Sequence, residues 1–254
     1  MSRLKTKIVA HRGASYLAPE NTMHAFTLAE EIGAYGIETD VQLTKDNVPV
    51  LIHDVTVNRT TNKKGFVKNY TFSDIQTLDA GKWFSETYKE ARIISLESFL
   101  QWIRPTHLYL HLELKNNRFS YKNLEFVVFD LLKRENMLER TALSTFNAKS
   151  IKRMTRIKDD IERALLLSKQ RKRLIQFAKK YDLKALHVEY PMLNDEFVRL
   201  CEKENILLRV YTVNDRDDMQ RCFALGVDTI FTDRPDVCIA EQNKFITEHD
   251  KEQS

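Results

Sequence analysis

The sequence has no long hydrophobic run. Hydrophobic residues make up 43% of its 254 residues, but nowhere do about 20 apolar residues follow one another, as a membrane-spanning helix requires. The N-terminus passes from three basic residues straight into a strand-like run, without the apolar core of a secretory signal. These two absences predict a cytoplasmic protein with no membrane span.

Cysteine and glycine are also scarce. The three cysteines, Cys201, Cys222 and Cys238, are odd in number and fit no metal-binding spacing, so we expect buried or free thiols in a reducing compartment. The six glycines form neither a G-x-G-x-x-G motif nor a Walker phosphate loop, and the G-x-S-x-G and H-E-x-x-H motifs are missing. Functions that use a nucleotide cofactor or a serine-hydrolase mechanism are therefore disfavoured.

Charge of one sign is not concentrated anywhere. The chain has 40 basic and 36 acidic residues, which leave a net charge of +4. This mild excess does not argue for binding to nucleic acid. It is compatible with a small anionic substrate such as a phosphate ester.

Short β-branched segments alternate with amphipathic segments along most of the chain. Strands that alternate with helices predict a parallel sheet, and eight such units predict an α/β fold of the closed (β/α)8 TIM-barrel type. An open doubly wound sheet is the structural alternative. The strand candidates are Ile8–His11, Gly36–Leu43, Leu108–Lys115, Ala142–Phe146, Ala164–Ser168, Ala185–Glu189, Leu207–Val213 and Thr229–Thr232.

Capping residues delimit the helix candidates. Short polar side chains before a periodic apolar segment accept hydrogen bonds from the free amides of a helix start. The residues expected to precede helices are Asn21, Ser95, Asn147, Asn194 and Asn214. Gly33 and Gly226 stand where two of these helices should end. The charged tail after about Gln242 is expected to fray.

Two segments interrupt the alternation. Val48–Asp54 is a further strand candidate, but only Thr44–Asn47 separates it from the preceding strand. This link is too short to join parallel strands, so the pair should form an antiparallel hairpin. Asn58–Arg92 follows without a clean periodicity. We therefore predict that residues 1–254 form a single barrel domain, with an insertion subdomain at approximately 47–92 after the second strand.

Carboxylates lie at the ends of two predicted barrel strands, where α/β barrels place their catalytic groups. Glu38 and Asp40 are two residues apart on the second strand and so project from one face. Glu113 lies on the third strand. Carboxylates that face one another repel unless something compensates, and a hard divalent cation is the usual partner of such oxygen ligands. The alternative, an exposed face of an edge strand, is disfavoured by the apolar neighbours along the second strand.

Two histidines end apolar runs in the same region. His11 ends the first strand, and His53 ends the returning strand of the hairpin. One such histidine is usually a packed core residue, but two beside a carboxylate cluster can supply a base and an acid. Arg12 and Lys115 add fixed positive charge for phosphate oxygens. This combination predicts phosphoryl transfer.

At this point the sequence resembles the glycerophosphodiester phosphodiesterase family. The shared motifs run in family order across nearly the whole chain, and the first two together are highly specific. They are HRGASYLAPENT (His11–Thr22), GIETDVQLTKDNVPVLIHD (Gly36–Asp54), NRTTNKKG (Asn58–Gly65), LDAGKWF (Leu78–Phe84), HLELK (His111–Lys115), STFN (Ser144–Asn147), YTVND (Tyr211–Asp215) and GVDTIFTDRP (Gly226–Pro235).

The resemblance implies a barrel with a small insertion after its second strand, acting on a small-molecule glycerophosphodiester to give glycerol 3-phosphate and an alcohol. It implies the same roles for the carboxylates, histidines and cations named above, with one divalent cation, Mg²⁺ or Ca²⁺. Tyr211 stands where the family often has a tryptophan near the glycerol end of the site. Phe146 is expected either at that end or in the barrel core. Glu20 and Asn21, above His11, are expected to support the site or to cap a helix.

Several alternatives stay open at this point. A related barrel phosphodiesterase for lysophospholipids or phosphoinositides would need an exposed apolar rim, and Trp83, Phe84 and Tyr88 could form such a rim or pack as a small core. A non-catalytic scaffold would be expected to lose the site residues, all of which are present. The nucleophile is either water or a neighbouring glycerol hydroxyl, and either histidine can be the acid.

Overall fold

Eight parallel strands close into a ring in the computed structural model, which describes residues 5–157 and 160–252. The ring strands are β1 (Lys7–His11), β2 (Gly36–Leu43), β4 (Tyr109–Leu114), β5 (Thr141–Thr145), β6 (Glu162–Leu167), β7 (Ala185–Glu189), β8 (Leu207–Tyr211) and β9 (Thr229–Thr232). A ninth strand, β3 (Pro49–Leu51), is not part of the ring. Hydrogen-bonded neighbours follow the order β1, β2, β4, β5, β6, β7, β8 and β9, and β9 pairs back to β1. The predicted (β/α)8 barrel is confirmed, and the open doubly wound alternative is wrong.

Helices alternate with these strands and cover the outward face of the ring. They are α1 (Met23–Ile32), α3 (Leu96–Ile103), α4 (Leu124–Arg134), α5 (Ala148–Met154), α6 (Leu174–Lys180), α7 (Asp195–Lys203), α8 (Arg216–Leu225) and α9 (Pro235–Glu252), whereas the short α2 (Phe72–Ile75) lies in the insertion after β3. The main apolar core contains buried residues of both strands and helices, such as Leu112 of β4 and Val128 of α4. Within residues 5–157 and 160–252, no helix is long and apolar enough to cross a membrane.

Alternate residues of the strands fill the interior of the ring. His111, His187 and Phe231 belong to β4, β7 and β9, which are not neighbours, yet their ring centroids lie 5.0 to 5.7 Å apart. Contacts across the ring require side chains that point inward, so residues two positions further along must also point inward. Glu113 and Glu189 occupy such positions at the carboxyl-terminal mouth of the barrel.

Strand β3 lies outside the ring and pairs antiparallel with β2, where Val41 opposes Leu51. The predicted hairpin is therefore confirmed. Beyond β3 the chain remains alongside β2, because the Ile52 amide donates a hydrogen bond to the Asp40 carbonyl. This return brings His53 back to the level of the barrel mouth.

The insertion after the hairpin has an apolar cluster of its own. Its buried members are Val50, Ile52, Val57, Val67, Ile75, Leu78, Ala80 and Ile93. Strand β3 forms the boundary, since Val50 packs in this cluster and Leu51 in the main core. Trp83, Phe84 and Tyr88 lie outside both clusters, with successive ring centroids 5.7 Å apart in edge-on contacts. These three rings therefore pack against one another and not within the buried apolar cluster of the insertion.

Two predicted helix caps are wrong. Thr22, and not Asn21, caps α1 by accepting a hydrogen bond from the Ala25 amide. Asp215, and not Asn214, caps α8 in the same manner. Both asparagine side chains instead donate to carboxylates at the barrel mouth, and the next polar residue takes over the cap. The caps at Ser95, Asn147 and Asn194 are confirmed.

The predicted helix ends at two glycines are confirmed. Gly33 and Gly226 adopt left-handed conformations with φ of 84° and 68°, and their amides bond to carbonyls of the preceding turn. The predicted fraying after Gln242 is wrong, since α9 continues to Glu252. Packing explains the difference, because Phe245 of α9 lies with its ring centroid 5.7 Å from that of Phe223.

The close approach of β2 to β4 requires a glycine at the start of β2. A Cβ on Gly36 would lie 2.3 Å from the Tyr109 carbonyl oxygen, which belongs to a rigid paired strand. We expect Gly36→Ala to lower the free energy of unfolding by roughly 3 kcal/mol. Gly33→Ala is the control, since its Cβ would meet nothing within 4 Å and only the left-handed φ costs roughly 1 kcal/mol. Equal losses in urea denaturation would contradict the steric argument.

Candidate active site

A cavity of about 420 Å³ opens at the carboxyl-terminal mouth of the barrel. The predicted site residues that line it are His11, Arg12, Glu38, His53, Glu113, Phe146 and Tyr211. Asp40 and Lys115 are buried beside it and contact its lining residues. The structure thus brings all the predicted site residues together.

Glu38, Asp40 and Glu113 form a buried carboxylate cluster. One oxygen of each lies within 4.8 Å of the others, and the residues are only 8%, 1% and 6% exposed. Strand geometry produces this arrangement. Glu38 and Asp40 alternate with Thr39 on β2, and Asp40 is in register with Glu113 on the neighbouring β4.

The negative charge of this cluster is only partly balanced. Burial raises the pKa of Glu38 well above its ordinary value, and Asp40 adds to the rise. Burial raises the pKa of Glu113 to about 7, although Lys115 opposes it. Burial acts on Asp40 in the same direction, but Lys115 and Arg12 outweigh it and hold the pKa of Asp40 well below its ordinary value. Three close carboxylates with surplus negative charge fit a hard divalent cation.

Arg12 and Lys115 are both turned towards the carboxylates. Lys115 Nζ lies 2.9 Å from Glu113 Oε1 and 3.5 Å from Asp40 Oδ1. Arg12 Nε lies 3.4 Å from Asp40 Oδ2, and its Nη1 donates to Glu20 Oε1 at 2.9 Å. Arg12 borders the cavity, whereas Lys115 is buried beside the cluster and is not among the lining residues. In this structure the charge of Lys115 therefore acts on the carboxylates.

Asn21 orients one carboxylate of the cluster. Its Nδ2 donates to Asp40 Oδ2 at 3.0 Å, and its Oδ1 accepts a hydrogen bond from Thr39 Oγ1 at 2.6 Å. Asn21 is buried and has a left-handed φ of 56°. Of the two roles expected for this residue, support of the site is the one that its contacts fit.

His11 is held by a carboxylate that the sequence analysis did not assign. Asp233 follows β9, and its Oδ1 lies 2.6 Å from His11 Nδ1. Despite burial, hydrogen bonds from His11, Asn214 and Ser15 lower the pKa of Asp233 to about 2, so its ionised carboxylate accepts and His11 Nδ1–H donates. His11 Nε2 is left for the cavity and lies 3.9 Å from Glu38 Oε2. The sequence signal for Asp233 is its position, because it is an ionisable residue directly after a barrel strand.

His53 has an equivalent partner in the adjacent residue. Its Nδ1 lies 2.8 Å from Asp54 Oδ1, and Arg59 Nε donates to Asp54 Oδ2 at 2.8 Å. Burial lowers the pKa of His53 although Asp40 opposes this effect, so the imidazole is neutral over a wider pH range. Asp54 and Arg59 lie within the shared motifs, but neither was predicted to have a role in the site.

The wall across the mouth from β2 combines aromatic and apolar side chains with the carboxylate of Glu189. Phe146 and Tyr211 meet there edge-on with ring centroids 6.2 Å apart. The Tyr211 hydroxyl donates to the Leu167 carbonyl at 2.9 Å, so the ring rather than the hydroxyl is available to a ligand. Glu189 and Tyr190 also line this wall and were not predicted.

The aromatic residues of the insertion are not part of the cavity wall. Trp83, Phe84 and Tyr88 are absent from its lining. Tyr88 instead packs against His24 of α1, with ring centroids 5.3 Å apart, and donates to the Leu17 carbonyl. These residues therefore do not contribute to the wall of the cavity itself.

Comparison with known proteins agrees with the fold and the site. A sequence profile of the glycerophosphoryl diester phosphodiesterase family matches residues 11–237. The chain belongs to this family. The family and enzyme class expected from the motifs are thereby confirmed.

Individual relatives are similar over nearly their whole length. A glycerophosphodiester phosphodiesterase of Caldanaerobacter subterraneus subsp. tengcongensis is 38% identical over 93% of this chain and 97% of its own. A phosphodiesterase of Oleispira antarctica, solved in complex with the product sn-glycerol-3-phosphate, superposes with a TM-score of 0.88 at 25% identity, covering 93% of this chain and 96% of its own. A glycerophosphodiester phosphodiesterase of Agrobacterium tumefaciens gives a TM-score of 0.80 at 30% identity, with 92% and 99% covered.

The raised pKa of Glu113 predicts a pH dependence of stability in the ion-free protein. The folded state holds a proton on Glu113 up to about pH 7, whereas the ordinary pKa is 4.5. The folded state therefore binds more protons than the unfolded state in this window, and stability should fall as the pH rises from about 4.5 towards 7. Glu113→Gln removes this contribution and should make the decline of the urea midpoints less steep between these values, while the raised pKa of Glu38 leaves a residual slope of the same sign. An equally steep decline in the variant would contradict the assignment.

Proposed function

We propose that this protein hydrolyses glycerophosphodiesters to sn-glycerol 3-phosphate and an alcohol, using one divalent cation and a pair of histidines. The observation that carries the proposal is one cavity that holds a buried carboxylate cluster and two imidazoles, each hydrogen-bonded through Nδ1 to a carboxylate. A single-domain barrel over residues 1–254, with the insertion at 47–92, is part of the same proposal.

Glu38, Asp40 and Glu113 would hold the cation, Mg²⁺ or Ca²⁺, because carboxylate oxygens are the preferred ligands of both. A bound cation would supply positive charge to the phosphate and polarise a P–O bond. Arg12 borders the cavity and would bind a phosphate oxygen. Lys115 pairs with Glu113. If the cation took over Glu113, Lys115 would also be able to bind a phosphate oxygen.

The histidine pair would move the protons of the reaction. One imidazole takes the proton of the nucleophile as its oxygen bonds to phosphorus, and the other gives a proton to the alkoxide as the second P–O bond breaks. Water as the nucleophile gives sn-glycerol 3-phosphate directly. The neighbouring glycerol hydroxyl would instead give a cyclic phosphodiester as the alcohol leaves, and water would then have to open this ring, with the same two imidazoles moving the protons. Asp233 and Asp54 hold His11 and His53 through Nδ1, which directs Nε2 of each ring to the reacting atoms.

The apolar wall would receive the organic part of the substrate. Phe146 and Tyr211 present ring surfaces to the cavity, and we assign them to the glycerol end. A tyrosine in place of the tryptophan found in many relatives changes the shape of this wall but leaves the charged half of the site untouched. Its effect should therefore fall on substrate preference.

A direct test is an assay with added metal over a panel of glycerophosphodiesters that differ in the alcohol. We expect release of sn-glycerol 3-phosphate with Mg²⁺ or Ca²⁺, and its loss with a chelator. Asp40→Asn should weaken metal binding by about 10-fold or more, whereas Asp130→Asn, on the exposed side of α4, should not. Turnover that survives the chelator would refute the metal requirement. Faster hydrolysis of lysophosphatidylcholine than of glycerophosphocholine would favour the lipid phosphodiesterase.

The histidine assignment has its own test. His11→Ala and His53→Ala should each lower kcat by about 10²–10⁴-fold, the usual contribution of an acid or base. His107→Ala is the matched control, since His107 is exposed and lies ahead of β4. Metal affinity should be measured in parallel, because His11 lies near Glu38. Near-normal turnover of both variants with metal bound would overturn the assignment.

A further inference from the structure

Arg59 belongs to the insertion, yet it contacts two carboxylates from different parts of the barrel mouth. Its Nη1 and Nη2 donate to Glu20 Oε2 and Oε1 at 2.6 and 2.8 Å. Its Nε and Nη2 donate to Asp54 Oδ2 and Oδ1 at 2.8 and 3.3 Å. Glu20 precedes α1 and Asp54 follows β3, so one guanidinium joins the loop after β1 to the end of the hairpin.

Each of these carboxylates holds a residue of the site. Asp54 Oδ1 accepts the hydrogen bond of His53 Nδ1 at 2.8 Å. Glu20 Oε1 accepts the hydrogen bond of Arg12 Nη1 at 2.9 Å. Arg59 is therefore connected through Asp54 to the imidazole of His53 and through Glu20 to the guanidinium of Arg12.

The geometry of the contact suits arginine alone. A planar guanidinium presents its N–H groups as a rigid fork. Each of two carboxylates can be bound by a pair of N–H groups on one edge of the guanidinium. A lysine in this place has one nitrogen and could not hold both carboxylates in fixed orientations. The carboxylates are more sheltered than the arginine, with side chains 12% and 30% exposed for Glu20 and Asp54 against 42% for Arg59.

We propose that Arg59 is a positioning residue that sets the spacing and orientation of His53 and Arg12 across the barrel mouth. This inference rests on the proposed function and assigns a task to the insertion. The insertion supplies the link that holds an acid-base group and a phosphate-binding group in one geometry. Arg59 is neither a lining residue of the cavity nor a member of the carboxylate cluster, so we assign its effect to its contacts with Asp54 and Glu20.

Loss of Arg59 should affect both kinetic constants. Without it Asp54 releases His53, which lowers kcat, and Glu20 is free to draw Arg12 away from the phosphate, which raises KM. Misplacement of catalytic groups by about 1 Å costs about 10²-fold, so kcat/KM of Arg59→Gln should fall by about 10–10²-fold. Arg59→Lys keeps the charge but not the fork and should recover only a small part of the loss.

The decisive readout is chemical rescue. Arg59→Ala leaves space between Glu20 and Asp54, and added guanidinium at millimolar concentration should restore kcat several-fold, with no effect on the wild type. Lys64→Gln is the matched control, since it removes a charge from an exposed residue of the same insertion. Wild-type kcat and KM are expected in the control.

A double-mutant comparison provides a second, independent test. Asp54→Asn should cost less in the Arg59→Gln background than in the wild type, because both changes release His53. Unchanged kcat and KM in Arg59→Gln, with only a lower melting temperature, would overturn the proposal and leave Arg59 a structural link. If Arg59→Gln does not fold, Arg59→Lys and the guanidinium rescue decide the question. A wild type that hydrolyses no glycerophosphodiester would instead refute the proposed function.

Discussion

Three carboxylates buried within 4.8 Å of one another impose the constraint around which the barrel mouth is organised. Mutual repulsion and burial both oppose their ionisation, as the raised pKa of Glu38 and Glu113 shows. Lys115 and Arg12 oppose this effect at all three carboxylates, but they outweigh it only at Asp40. Most of the surrounding polar residues serve either to compensate charge or to fix an oxygen atom. Asn21 fixes an oxygen atom of Asp40 by donating a hydrogen bond to its Oδ2.

The same principle extends outward from the cluster. Both imidazoles at the mouth donate from Nδ1 to an aspartate that is itself held by other donors. Asp233 is held by Asn214 and Ser15, and Asp54 by Arg59. A carboxylate that is fixed in this way determines the tautomer and the ring orientation of its histidine. The two histidines differ in their support, because one lies within the barrel and the other depends on the insertion.

Much of this architecture could be predicted from the sequence because strands impose local rules. The bounds of β2, β7 and β9 and the inward face that carries Glu38 and Asp40 follow from periodicity and alternation alone. The predicted capping residues were wrong where a tertiary contact competed for the same side chain. Asn214 has good capping propensity, but a carboxylate at the mouth offers it a buried charged partner, and the adjacent Asp215 caps as well. The role of Arg59 could not be predicted, because Asp54 is near in sequence but Glu20 is 39 residues away and meets Arg59 only in the folded barrel.

The mouth is divided into two halves with different tasks. The half formed by β1, β2 and β4 carries the charged cluster, whereas Phe146, Leu166 and Tyr211 line the half formed by β5 to β8, where Glu189 of β7 is a charged lining residue. A phosphodiester has the same division, with a charged centre and neutral organic substituents. Charge near phosphorus lowers the barrier to its reaction, whereas apolar surface acts mainly on binding. Changes on the apolar wall should therefore alter which phosphodiester is accepted, while the charged half can remain constant.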